Sequence, residues 1–167
     1  MNLRILVFTL LTLYNCNYEN FLEESISIFS NLERSPSNIP GSNNVYVVDV
    51  DQEFYGKIVK RLLLQTDEND NIKSVSFTMN EVIDENFYND FRSQYGEPYM
   101  TLCVESIMRL NEISLQDGLL IKEGESNTTN CSFIENPLFI IWLYKKYKIT
   151  IEINRVQSVS RITYKSL

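Results

Sequence analysis

The chain contains no histidine. That absence rules out Ser-His-Asp and Cys-His catalysis. It also removes the usual proton shuttle near neutral pH. With only three cysteines and no histidine, a zinc site of the usual kind is not expected. Glycine is scarce, five in the whole chain, and no glycine-rich phosphate loop is present. No catalytic residue, metal or cofactor is therefore expected. Unbroken apolar runs are short: none approaches the roughly 20 residues needed to cross a bilayer as a helix. The formal net charge is -7, which argues against a general nucleic-acid partner.

Carboxylates are the chemistry that is left. Asp49, Asp51 and Glu53 alternate, so an extended segment would present them on one face. A glycosidase needs two carboxylates flanking the bond it breaks. An enzyme or small-ligand binder of this kind predicts a deep pocket converging on Asp49 and Asp51. The plainer reading is a solubilising sheet face. Asp67, Asn69 and Asn71 imitate the first half of a calcium loop. The sixth position, which should be Gly, is Ile72, and the twelfth, which should be Glu, is Thr78. A polar hairpin turn explains them better.

The first sixteen residues carry an address. Arg4 is the only charge, Ile5 to Tyr14 is an apolar or near-apolar run, and Asn15 and Cys16 follow before the chain turns polar. Ten residues is the length of a secretory signal core. The sequence Leu13-Tyr14-Asn15-Cys16 resembles the lipobox of bacterial lipoproteins, in the relaxed form of spirochaetes, where Asn before the cysteine is tolerated. The resemblance implies cleavage before Cys16, a diacylglycerol on its sulfur and a membrane anchor. It further implies residues 1–15 as signal peptide and a lipid-anchored N-terminus after them, over residues 16–44, in which spacing and composition predict one helix and a linker. Asn17 is not the Asp that retains many lipoproteins at the inner membrane, so the resemblance favours the outer membrane, facing the periplasm or the surface. The alternative is an ordinary secretory signal cut elsewhere, or an uncleaved apolar helix. Tyr95, Gly96, Pro98 and Trp142 also fall in an order that looks like small bacterial envelope lipoproteins. A helix stop and a core tryptophan account for the same residues.

Two cysteines, Cys103 and Cys131, remain after Cys16. An exported compartment is oxidising, so a disulfide is expected, with two buried thiols as the alternative. Asn127-Thr128-Thr129 and Asn130-Cys131-Ser132 fit the N-glycosylation sequon. They matter in a eukaryotic secreted protein and are chance in a bacterial lipoprotein. From Leu143 onward the chain carries Lys145, Lys146, Lys148, Arg155, Arg161 and Lys165 against Glu152 alone. This is a solvated sheet face, or a basic surface for anionic headgroups or an acidic partner.

Removing residues 1–15 leaves about 150, enough for one real core. Leu22, Ile26, Phe29 and Leu32 predict a helix over 19–34, and Ser35 to Asn44 a linker. Strands are expected over 45–51, 54–66 and 72–77, the last two joined by the polar turn at 67–71. Asp84 caps a helix whose apolar face is Phe87, Tyr88, Phe91 and Tyr95, and Gly96 with Pro98 stops it. The segment 99–113 reads as helix or strand. Residues 116–137 read as loop, apart from a short apolar piece at 119–121. Three strands follow, over 138–144, 149–154 and 158–165. The sum predicts an α+β domain over 45–167: an antiparallel sheet of five to six strands with two or three helices on one face. The aromatics mostly sit at core spacing, Phe139 and Trp142 included.

Overall fold

A computed structural model describes residues 17–30, 32–35, 44–114 and 120–167. The expected signal segment, Cys16 and most of the expected linker lie outside them. Among the described residues there is one α-helix and one antiparallel sheet, so the expectation of five or six strands and two or three helices is corrected. The strands are β1 (Glu33–Ser35), β2 (Val45–Phe54), β3 (Lys57–Thr66), β4 (Ile72–Met79), β5 (Met100–Ser114), β6 (Leu120–Asn130), β7 (Phe139–Leu143), β8 (Tyr147–Asn154) and β9 (Val159–Ser166). Their order in the sheet is β1-β2-β3-β4-β9-β8-β7-β5-β6. Eight are substantial; β1 is a three-residue edge strand.

Two segments account for most of the difference. Residues 100–114 and 120–130 pair as a long hairpin, from Leu102 opposite Asn130 to Ser114 opposite Leu120. The β6 sequence LIKEGESNTTN is polar because it forms the sheet margin, where one side of the ladder is open to water. It therefore lacks the apolar alternation that announces a strand. The 99–113 segment resolves as strand, its apolar spacing notwithstanding.

The third correction is at the N-terminus. The helix expected over 19–34 is replaced by two 3-10 turns, Tyr18–Phe21 and Ile26–Ile28, and by β1. Serine and asparagine are frequent here and favour local side-chain bonds over helix. The Ser25 hydroxyl accepts from the Ser27 amide at 3.3 Å. Backbone groups that a helix would bond internally go instead to the β3–β4 turn: Glu23 N to Ile72 O at 2.7 Å, Ile26 N to Asp70 O at 2.9 Å, and Ile72 N to Glu24 O at 2.8 Å.

The helix α1 (Glu85–Tyr95) joins β4 to β5, which run in the same direction with β9, β8 and β7 between them. It crosses one face of the sheet and buries Phe87, Tyr88, Phe91 and Tyr95 there. Asp84 Oδ1 accepts from the Phe87 amide at 2.8 Å, an N-cap. Gly96, at φ 78°, ends the helix in a backbone conformation that costs glycine nothing. Trp142 Nε1 then donates to the Gly96 carbonyl at 2.8 Å, fixing the helix end on β7.

One core lies between the helix and the sheet. Val48, Leu62, Leu64, Val75, Phe77, Ile151, Ile162 and Trp142 point into it. Tyr18 enters the same core, fully buried, with its ring against Phe54, Phe77 and Tyr164. Residues 17–29 thus complete the layer that α1 begins. Phe139 lies on the opposite sheet face and is only half-buried. It stands three residues from Trp142, and the two-residue strand period puts them on different sides.

Candidate functional site

Two places gather functional groups: the exit of the N-terminal segment beside the end of α1, and a groove between α1 and the loop after β6. At the first, Asn17 Oδ1 accepts from Gln94 Nε2 at 2.7 Å. The Tyr55 hydroxyl donates to Gln94 Oε1. Tyr95 OH donates to Glu19 Oε2 at 3.0 Å and lies 3.3 Å from the Tyr164 hydroxyl. Tyr144 OH donates to the Tyr95 carbonyl. Burial pushes the Tyr55, Tyr95 and Tyr164 phenols up, furthest from water at Tyr164. Burial raises Tyr147 to about 12, with the Glu19 charge adding to it. Of these phenols, Tyr95 holds Glu19 of the N-terminal segment by its hydroxyl and Tyr164 packs its ring on Tyr18. Their signal in the sequence was weak: Glu19, Tyr95 and Tyr164 are far apart in the chain.

At the second place, a groove of about 360 Å³ is lined by Tyr88, Asn89, Arg92, Thr101, Phe133 and Ile134, among others. Tyr88 and Phe133 stack with ring centroids 4.4 Å apart. Arg92 is engaged by Glu97, its Nε 2.7 Å from Glu97 Oε1. Cys103 and Cys131 form a disulfide beside this groove, with Cα atoms 5.9 Å apart. It ties β5 to the end of β6. Ser132 and Glu135 form a reciprocal capping box on the short turn that follows, and that bonding holds the Glu135 carboxyl below its usual range.

The other sequence-level candidates separate. Asp49, Asp51 and Glu53 are all exposed. Asp49 pairs with Arg61 at 2.9 Å and Asp51 with Lys60 at 2.6 Å, on open surface. The groove that the described residues form beside α1 has neither acid in its lining. Asp67 is consumed by its own turn: Oδ1 accepts from the Asn69 and Asn71 amides, both at 2.9 Å. Those bonds, the Asn71 amide first, hold its carboxyl below the ordinary range. No group of three or more metal-ligating side chains occurs among the described residues. Asn127 and Asn130 are exposed on β6. The basic tail splits. Lys145 and Lys146 form the exposed β7–β8 turn, Lys148 faces Lys165 across β8 and β9, and Arg155 donates to the Pro137 carbonyl at 2.7 Å. Cys16 lies outside the described residues.

No family model matches the chain, and no curated protein or solved structure is significantly similar to it.

Proposed function

We propose that the protein is a membrane-anchored envelope lipoprotein, held by acyl chains on Cys16, with a non-enzymatic interaction or structural role. The observation that carries this reading is the ten-residue apolar run from Ile5 to Tyr14, followed at once by Asn15 and Cys16. A diacylglycerol with a further acyl chain gives stable attachment, because each buried methylene contributes about 0.8 kcal/mol. Two features of the fold support it. The Cys103–Cys131 bond suits an oxidising, exported compartment. The acids that an enzyme would need are ion-paired on open surface. The outer membrane is the favoured location, through the resemblance at Cys16 and Asn17.

The test is cell fractionation of Cys16→Ser. The variant appears in the soluble fraction while the wild type stays with membranes. Firm membrane association of Cys16→Ser would overturn the anchor.

A further inference from the structure

We infer that the bilayer surface lies directly against the folded body, at the edge formed by Asn17, Gln94 and the Lys145–Lys146 turn, with anionic headgroups as the partner. This rests on acylation of Cys16 and goes on to say how the body sits once anchored.

The reason is the position of Asn17. It is bonded to Gln94 at 2.7 Å, and its carbonyl accepts from the Asn20 amide at 3.0 Å. The next residue, Tyr18, is fully buried in the core. Consecutive Cα atoms are about 3.8 Å apart across a trans peptide. The acyl-bearing residue is therefore one peptide bond from the packed body. A flexible spacer of about ten residues would give a reach of roughly 17 Å, and here there is none. The Ser-, Asn-, Pro- and Gly-rich stretch comes later, between β1 and β2, which pair with each other. It connects two strands and spaces nothing from the membrane.

The charge at this edge fits an anionic surface. The Tyr95 carbonyl, next to Gln94, binds the Tyr144 hydroxyl, and Lys145 and Lys146 follow at once. Both lysines are exposed. Glu19, the acid beside Asn17, accepts from the Tyr95 hydroxyl and keeps its charge, but it is half-buried where the two lysines are exposed. Asp90, one helical turn before Gln94, is an exposed acid on the same helix. Basic side chains close to a membrane anchor are drawn to anionic headgroups.

The experiment uses the protein isolated from its own membranes, its acylation checked by intact mass. It is reconstituted in vesicles of phosphatidylethanolamine and phosphatidylglycerol. A water-soluble amine reagent then labels lysines, and peptide mass spectrometry reads the rates. The comparison is an acylated variant with about ten Gly and Ser residues inserted between Cys16 and Asn17, long enough to free the body. Lys145 and Lys146 label several-fold more slowly in the wild type than in the spacer variant. Lys60, next to the buried Val59 and pointing away from the core, labels equally in both. Equal labelling of Lys145 and Lys146 in two acylated proteins would overturn the contact and leave the anchor standing. A wild type without acyl chains would overturn both.

Discussion

Tyr18 holds the N-terminal segment onto the sheet. Its ring lies 4.8 Å from that of Phe77 and 5.4 Å from that of Phe54, and its hydroxyl donates to Gln52 at 3.1 Å. Truncation to alanine leaves a cavity among aromatic rings, so Tyr18→Ala costs about 3 to 5 kcal/mol. Tyr18→Phe keeps the ring and loses about 1 kcal/mol with the hydrogen bond. Urea midpoints of the two variants check this; equal losses would mean that the ring packing contributes little. Asp84 works at the same scale. The Phe87 amide, and then Lys57, hold its carboxyl below the usual range. Its folded value thus lies below its unfolded one. The stabilisation is present above the ordinary carboxylate range and is lost as pH falls through the folded value, below about 4. Asp67, Glu23 and Glu135 are shifted the same way. The thermal midpoint therefore drops on acidification below pH about 4, and Asp84→Asn, which keeps a capping oxygen, makes the drop shallower. An unchanged acid limb for Asp84→Asn would contradict this. At neutral pH, Asp84→Ala costs about 1 kcal/mol through the lost cap.

At the scale of elements, the strongly patterned segments were legible in the sequence and the polar ones were not. In β8, Ile149, Ile151 and Ile153 are buried and alternate with half-exposed neighbours, as their period implies. The helix from Asp84 to Gly96 was legible from its cap, its aromatic face and its stop. β6 was not, since an edge strand needs no apolar face to pair. The 19–34 segment misled because its apolar residues fall at helical spacing while their cover comes from the sheet. Ile26 is buried, and Phe29 and Leu32 pack against the core, without any helix between them. The candidate site was legible only at its cysteines; the Tyr95–Glu19–Tyr164 cluster depends on three distant segments meeting. The β5–β6 hairpin makes its own prediction. The Cys103–Cys131 bond spans 28 residues, so the double Cys103→Ser, Cys131→Ser variant loses about 3 to 4 kcal/mol in the chain-entropy picture. Hydrogen exchange rises first in β5 and β6. Unchanged stability and exchange would show that the bond restrains nothing.

For the whole molecule, one sheet face is covered by α1 and residues 17–29, and the N-terminal segment is built into the core rather than left as a leash. The proposed anchor at Cys16 would thereby be joined to the folded body at Asn17. The sheet closes late in the chain: β9 inserts between β4 and β8, so Val75 meets Tyr164. The central claim is that Cys16 carries lipid, and intact mass of the protein from its native cells, before and after reduction, tests it most directly. The account predicts a mass of residues 16–167 plus acyl chains, with a gain of two hydrogens on reduction as the Cys103–Cys131 bond opens. An unmodified mass, or a chain beginning elsewhere, would contradict it.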